Sequence, residues 1–230
     1  MVWLTTGYME YYLYMLPALL LVMLAQGLVS ARYSRFSRVM TARRVTGVAM
    51  AQWVLAQNGI TDVAVQPVAG RMSDHYHPTK KVIYLSEGVY NASSVAAVSI
   101  AAHEAGHAVQ HAKGYTPAAV RSALVPVCNV ASRIGLPLAI VGFIFSWFAL
   151  VNIGLVLFAT AALFQLVTLP VELDASRRAM AHMRACGWFE SAELRGAKSV
   201  LTAAALTYVA ALAQSVLQLL YFVSRFSRRN

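Results

Sequence analysis

The feature that most constrains the fold is a stretch of 36 residues, from Ile134 to Leu169, that contains no Asp, Glu, Lys or Arg. A helix of about 20 apolar residues crosses a bilayer, so this stretch is long enough for a tight hairpin of two spans. Two further uncharged stretches run from Tyr11 to Val29 and from Leu201 to Val223. We therefore predict a mainly α-helical, multi-spanning membrane protein with about four transmembrane helices. Its charged content of 12% does not suit an ordinary soluble domain, in which about 25% of residues are charged.

The first span, Tyr11–Val29, is expected to be an anchor rather than a cleavable signal peptide. No Lys or Arg precedes it, and no small-residue cleavage site is evident before the basic segment that follows. We therefore expect the N-terminus to be translocated and this span to remain in the membrane.

The basic residues are strongly biased to one side of the four-span arrangement. Sixteen of the 19 Lys and Arg residues lie between spans one and two or between spans three and four. Such a bias is typical of cytoplasmic segments, so we expect both termini outside and the middle of the chain in the cytoplasm. Orientation and contact with anionic lipid explain the net charge of +10, and a nucleic-acid partner is not expected.

A small cytoplasmic α+β unit is predicted after the first span. Thr41 is expected to cap a helix that ends at Asn58, and the β-rich runs Ile60–Val68 and Val82–Leu85 are expected to be strands. The second strand directly precedes the motif helix described below, and an exposed strand edge there can accept an extended peptide. The predicted domains are an N-terminal anchor (1–30), this α+β unit (31–122) and a helical membrane region (123–230) with spans at about 134–150, 151–169 and 201–223.

The stretch 103–107, which reads His-Glu-Ala-Gly-His, carries the clearest chemical signal. It lies within Ser94–Ala112, a run rich in Ala and Val and free of Pro, which predicts a helix. Residues four apart share one face of a helix, so His103 and His107 can provide two ligands of a tetrahedral zinc ion. The Glu after the first His is placed to act on the zinc-bound water, which makes Glu104 the predicted catalytic residue.

A hydrolytic zinc site needs a third protein ligand and leaves its fourth position for water. The candidates are His75, His77, His111, Glu172, Asp174 and His182. His111 follows His107 by four residues, but three successive steps of four drift around a straight helix and cannot converge on one ion. Glu172 is preferred because it directly follows the third predicted span, whereas Asp174 is better suited to be a plain helix-start carboxylate.

These motifs resemble known membrane proteases. The two histidines and a distant Glu172-x-x-Ala175 resemble the gluzincin membrane proteases, which have an Asp where this chain has Ser176. A closer resemblance, over roughly residues 41–192, is to the bacterial YugP-like neutral zinc metallopeptidases, in which Ser176 is the expected residue. One departure is His77, where that family is expected to have Asp. The segments that carry the resemblance are Gly70–Tyr76, Leu85-Ser86, Ala101–Gln110 and Val171–Ala179.

The resemblance implies a membrane-embedded zinc metalloendopeptidase with a zincin-like cytoplasmic unit. Because Glu172 follows a span without a spacer, we expect hydrolysis of protein or peptide substrates at the cytoplasmic membrane interface, on substrates that are themselves membrane-associated. The candidate oxyanion donors are Tyr76, His75 and Arg177, and the candidates to orient the imidazoles are Asp74 and Asp174.

Two other classes of function stay open at this point. A non-catalytic membrane scaffold or adaptor could contain a zinc-binding fold, but structural zinc usually has four protein ligands, often Cys. Cys128 and Cys186 are not near the motif and are expected to be free thiols. A transporter or channel is the weaker alternative, because the predicted spans contain no Asp, Glu, Lys, Arg or His. The sequence indicates no oligomeric state.

Overall fold

The computed structural model describes residues 2–145 and 147–227, and most of them are helical. The predicted mainly α-helical fold is confirmed. Two predictions fall partly outside the described residues. The predicted span 134–150 includes Ser146, and the predicted outward termini include Met1 and residues 228–230, none of which the structure describes. In chain order the elements are α1 (Val2–Phe36), α2 (Gly47–Gln57), β1 (Ala64–Val68), β2 (His75–His77), β3 (Val82–Ser86), α3 (Glu87–Tyr90), α4 (Val95–Ala112), α5 (Thr116–Ile144), α6 (Phe148–Ala185) and α7 (Ser191–Ser227).

Among the residues that the structure describes, four helices are long and apolar enough, by length and composition, to cross a membrane. Their surfaces carry many exposed large apolar side chains, which a bilayer would cover. The helices extend beyond the uncharged stretches, so that α5 begins at Thr116 rather than near Ile134. The candidate spans are Met9–Phe36, Thr116–Gly142, Phe148–Ala185 and Ser191–Ser224.

The chain forms two compact units. The helical unit consists of the described parts of Met1–Gln26, Val120–Leu169 and Thr207–Asn230, and the α/β unit consists of Gly27–Ala119 and Pro170–Leu206. The α/β unit therefore contains most of the predicted segment 31–122 together with the C-terminal part of α6 and the N-terminal part of α7.

Within the helical unit, α5 and α6 approach each other backbone to backbone. A Cβ atom added at Gly154 would lie 2.4 Å from the backbone nitrogen of Ala139, and one at Gly135 would lie 2.7 Å from that of Phe158. Glycine permits such close packing between helices in a membrane, where van der Waals contact rather than the hydrophobic effect drives association. The tight hairpin predicted from the long uncharged stretch is thus present.

The α/β unit contains a mixed three-stranded sheet in the order β1-β3-β2. β3 pairs in parallel with β1, where Ile83 faces Val65, and antiparallel with β2, where Ile83 faces Tyr76. β3 is therefore the central strand, and the prediction that the strand before the motif helix has an exposed edge is wrong. The reason is β2, whose three residues are too short to show a strand period in the sequence.

Helix α2 begins later than predicted. Thr46 is its N-cap, and its hydroxyl oxygen accepts a hydrogen bond from the Ala49 amide at 3.3 Å. Thr41 lies outside the helix, where its hydroxyl donates to the Ser93 carbonyl at 3.1 Å and accepts from the Val45 amide at 3.1 Å. Thr41 therefore holds the segment before α2 against the residue that precedes the cap of α4.

The core of the α/β unit joins α2, the sheet, α4 and the C-terminal part of α6. Complete burial of a large apolar side chain contributes about 1.5–3 kcal/mol, so this cluster fixes α4 and α6 against one another. Its largest fully buried members include Met50, Val54, Ile83, Leu85, Val98, Val109 and Met183.

Candidate metal centre

Helix α4 presents the motif histidines on one face. Ser94 caps the helix, since its hydroxyl oxygen accepts a hydrogen bond from the Ala97 amide at 3.2 Å. The helix ends before Gly114, whose φ of +63° favours glycine. The rings of His103 and His107 lie 4.7 Å apart between centroids, as expected for side chains one turn apart.

Glu172 approaches the two imidazoles from α6. Its Oε2 lies 3.2 Å from Nε2 of His103 and 3.5 Å from Nε2 of His107. One ligand atom from each of the three residues lies within 4.8 Å of the other two. Glu172 is only 2% exposed, and a buried carboxylate is costly unless a cation accompanies it. The structure thus brings together the three residues predicted to bind metal.

The donor atoms fit zinc in both chemistry and spacing. Zinc binds imidazole nitrogen and carboxylate oxygen at about 2.0–2.1 Å, so two ligand atoms of a tetrahedral site lie about 3.3–3.4 Å apart. The observed separations of 3.2 Å and 3.5 Å from Glu172 to the imidazole nitrogens lie on either side of that value. Two His and one Glu leave a fourth position open, which is typical of catalytic rather than structural zinc.

Small residues allow α4 and α6 to pack closely enough for this convergence. Ala101, Ala102 and Ala105 of α4 are fully buried, as are Ala175 and Ala179 of α6. With no larger side chain between them, the helix axes can approach until the histidines and Glu172 meet. The small residues beside the motif therefore have a packing role.

The second nitrogen of each imidazole also has a partner. Nδ1 of His103 lies 3.2 Å from the hydroxyl of Ser176, and Nδ1 of His107 lies 3.0 Å from Oε1 of Gln110. Such contacts orient metal-binding imidazoles and raise their basicity. The sequence analysis predicted neither of these two imidazole partners. They could have been found as polar residues one helical turn after His107 and after Glu172.

The two aspartates predicted to orient the imidazoles do not touch them. Asp174 accepts a hydrogen bond from Gln110 Nε2 at 2.9 Å, so it reaches His107 only through that amide. Asp74 instead accepts from the backbone amide of Ser86 at 2.7 Å and from its hydroxyl at 3.0 Å. Burial raises the pKa of the Asp74 carboxyl, although the hydrogen bonds from Ser86 oppose this. Asp74 therefore ties the loop before β2 to the end of β3.

Glu104 lies beside the cluster and is 9% exposed. Its Oε2 accepts a hydrogen bond from the backbone amide of Tyr76, in β2, at 2.9 Å. Among the described residues, no hydrogen-bond donor is assigned to its other oxygen. The unpredicted strand β2 therefore positions the predicted catalytic carboxylate.

The candidate oxyanion donors have other contacts. Nδ1 of His75 lies 2.8 Å from the Ser73 carbonyl oxygen, and its ring stacks on Tyr84. The ring of Tyr76 packs near His111, at 5.6 Å between centroids, and burial raises the pKa of its hydroxyl. An oxyanion role for any of the three stays a prediction.

The remaining charged and ligand candidates lie elsewhere. Arg177 is largely exposed and pairs with Asp174. Nε2 of His182, one of the alternatives to Glu172, lies 3.2 Å from the Asn58 amide, and its ring lies near Trp53. His75, His77, His111, Asp174 and His182 are not among the three residues grouped at the centre.

Comparisons with known proteins point to the same chemistry. A family model described as "Putative neutral zinc metallopeptidase" matches residues 11–227. The chain is also similar to "Putative membrane protease YugP" of Bacillus subtilis (strain 168), with 42% identity over 202 residues, which cover 88% of this chain and 90% of that protein. No solved structure matches the chain.

Proposed function

The chain belongs to the family described as putative neutral zinc metallopeptidases, and from this membership and its metal centre we propose that it is a membrane-embedded zinc endopeptidase. The observation that carries the proposal is the position of Glu104, a buried carboxylate next to three convergent ligands but outside their set. A purely structural zinc site has no use for such a group. The scaffold alternative therefore has less support than hydrolysis.

His103, His107 and Glu172 would hold the zinc. When bound, zinc supplies Lewis acidity, which lowers the pKa of a water molecule and polarises the scissile carbonyl group. With three protein ligands, a zinc ion would keep one position open to water or substrate. Ser176 and Gln110, behind the imidazoles, keep Nε2 of each ring directed at the centre.

Glu104 would be the general base and then the general acid. The Tyr76 amide fixes one carboxylate oxygen at 2.9 Å, which leaves the other to take a proton from the attacking water. Glu104 would then pass that proton to the leaving amine of the cleaved peptide bond. Positioned acid–base groups of this kind contribute roughly 10²- to 10⁴-fold to the rate.

The substrate would be a protein or peptide in extended form. An extended peptide can add to an open strand edge beside an active site. β2 rather than β3 is the edge strand on this side of the sheet, and its Tyr76 amide contacts Glu104 directly. We therefore assign to β2 the peptide-guiding role that the sequence suggested for the strand before the motif helix.

The proposed place of cleavage is the cytoplasmic interface of the bacterial inner membrane. Glu172 lies in α6, the helix that also contains the last part of the uncharged stretch, which ends at Leu169, without a spacer between them. The bias of basic residues supports a motif segment in the cytoplasm and both termini outside. Substrates at this position would be membrane proteins or segments close to the bilayer.

The proposal is tested by Glu104→Gln in the full-length protein, with Glu87→Gln as control. Glu87 is an exposed carboxylate at the start of α3, so its replacement changes the same charge away from the metal. Glu104→Gln should retain zinc and cleave an unfolded model protein at least about 100-fold more slowly, whereas Glu87→Gln should behave as wild type. Cleavage by Glu104→Gln at the wild-type rate would refute the proposal. A comparison of new protein N-termini in cells that produce wild type or Glu104→Gln would then identify the substrates.

A further inference from the structure

Gln110 is a fully buried amide one turn after His107 on α4. Buried amides are normally satisfied by hydrogen bonds because an unmatched polar group is costly. Nε2 of Gln110 donates to the Val171 carbonyl at 2.8 Å and to Oδ2 of Asp174 at 2.9 Å. Oε1 lies 3.0 Å from Nδ1 of His107.

These partners permit only one orientation of the Gln110 amide. A backbone carbonyl and an ionised carboxylate accept hydrogen bonds and cannot donate them. Rotation of the amide by 180° would place Oε1 against both acceptors and Nε2 against His107. The nitrogen of Gln110 must therefore face Val171 and Asp174, and its oxygen must face the imidazole.

The orientation of Gln110 determines which nitrogen of the neutral His107 ring carries the hydrogen. Because Oε1 can only accept, Nδ1 of His107 must carry a hydrogen, and in the neutral ring the lone pair is then on Nε2. That nitrogen faces Oε2 of Glu172 at 3.5 Å. We propose that Gln110 is a positioning residue that commits His107 to the tautomer whose Nε2 can bind metal. This proposal rests on the zinc site proposed above.

The same turn of α6 supplies a metal ligand and fixes Gln110. Val171 and Asp174, which receive the two amide hydrogens, stand on either side of Glu172. Asp174 is held in turn by Arg177 and by Nε of Arg178 at 2.5 Å. A carboxylate whose two oxygens receive hydrogen bonds from two guanidinium groups acts as an acceptor. Any shift of this turn would thus disturb Glu172 and His107 together.

His103 is held differently. Its Nδ1 lies 3.2 Å from the hydroxyl of Ser176, and a hydroxyl can either donate or accept. Ser176 therefore fits both neutral tautomers of His103, whereas Gln110 fits only one of His107. Loss of Gln110 should consequently weaken metal binding more than loss of Ser176.

The first test measures zinc affinity by competition with a chromogenic chelator, on full-length protein. Replacement of a partner behind a metal ligand typically weakens binding by about 10- to 100-fold. We expect a weakening of this size for Gln110→Leu, a smaller one for Ser176→Ala, and none for Gln52→Leu, which makes the same change at an exposed position of α2. Wild-type affinity in Gln110→Leu, with the metal-free protein still folded by its thermal midpoint, would overturn the proposal.

The second test needs no variant at Gln110 and therefore stands even if that variant does not fold. Nitrogen-15 NMR of histidine-labelled, zinc-loaded wild type should show a protonated Nδ1 and a zinc-bound Nε2 at His107, assigned by the loss of its signals in His107→Ala. Zinc on Nδ1 would overturn the proposal.

These outcomes separate this proposal from the proposed function, because both tests measure metal binding and not cleavage. A protein that shows the expected tautomer and affinities but cleaves nothing would refute only the endopeptidase assignment. A protein that cleaves but whose zinc affinity does not depend on Gln110 would refute only this inference. Failure of wild type to bind zinc would overturn both.

Discussion

A Cβ atom on Gly106 would lie 2.8 Å from the carbonyl oxygen of Ala175, closer than real Cβ atoms approach other atoms. Helices α4 and α6 therefore touch backbone to backbone at Gly106, which lies between the two motif histidines. Ala175 lies about one turn after Glu172 on α6. This contact sets the distance between the imidazoles and the carboxylate of Glu172. The motif therefore has glycine at position 106 because a side chain there would collide with α6, and not because the backbone needs a conformation that only glycine adopts.

Gly106→Ala should therefore weaken both the fold and the metal site. The added methyl group meets backbone atoms, which cannot move aside as a flexible side chain can, and overpacking of this kind costs about 1–3 kcal/mol. We expect a lower free energy of unfolding and weaker zinc binding, measured by denaturant titration and chelator competition. The control is Gly27→Ala, at a helical glycine where, among the described residues, the added Cβ would have no atom within 4 Å apart from its chain neighbours and its own helix backbone. Equal results for the two variants would contradict the packing argument.

Glu172→Gln should remove bound zinc from the purified protein. The neutral amide oxygen is a much weaker ligand than the carboxylate, and Glu172 is the residue that contacts both imidazoles. The loss in zinc affinity should exceed the roughly 10- to 100-fold typical of changes behind the ligands. Zinc content per chain, measured by elemental analysis after dialysis, should fall in this variant and not in Glu87→Gln. Retention of one zinc ion per chain by Glu172→Gln would exclude Glu172 as a ligand.

Glu193→Ala should destabilise the α/β unit and leave the residues of the metal site in place. Its buried carboxylate accepts hydrogen bonds from the Ala42 amide and the Glu190 amide, both at 2.7 Å, and so links the segment before α2 to the start of α7. Hydrogen bonds to a charged group contribute about 1.5–3 kcal/mol each, so for two of them we expect a loss of about 3 kcal/mol or more in unfolding free energy. The exposed neighbour Glu190 offers the matched control, because Glu190→Ala makes the same charge change and keeps the backbone amide. A Glu193→Ala protein as stable as Glu190→Ala would show that these hydrogen bonds contribute nothing net.

A cysteine at position 80 should be protected in intact cells. Lys80 is exposed between β2 and β3, on the side that the basic residues predict to be cytoplasmic. In a chain whose Cys128 and Cys186 are replaced by serine, Lys80→Cys should react with a membrane-impermeant maleimide only after lysis. Labelling in intact cells would reverse the proposed orientation and place the metal centre outside.

The membrane spans and the motif helix could be predicted from the sequence because each depends on the composition of a long segment. The uncharged stretch 134–169 is too long for one span, and the hairpin of α5 and α6 is found there. The motif helix was equally accessible, since Ser94 and Gly114 mark its ends. Because many residues contribute to each of these helices, no single tertiary contact changes whether the helix forms.

The features that could not be predicted depend on contacts between distant residues. β2 has only three residues and becomes a strand because β3 pairs with it. The position of Gln110, one turn after His107, could indicate a partner for that imidazole, but it could not reveal how the Gln110 amide is oriented, since Val171 and Asp174 are on another helix. The convergence of Glu172 with the histidines was a prediction from its position after the third predicted span and from resemblance, and the packing of Gly106 on Ala175 supplies its physical basis.

The central claim, that His103, His107 and Glu172 bind one zinc ion, is tested most directly by X-ray absorption at the zinc edge of the full-length protein. Our account predicts one zinc per chain, a first shell of nitrogen and oxygen at about 2.0–2.1 Å, and outer scattering from two imidazole rings. It also predicts that one imidazole is lost in His103→Ala. A sulfur shell at about 2.3 Å, or two imidazoles that persist in His103→Ala, would contradict the account.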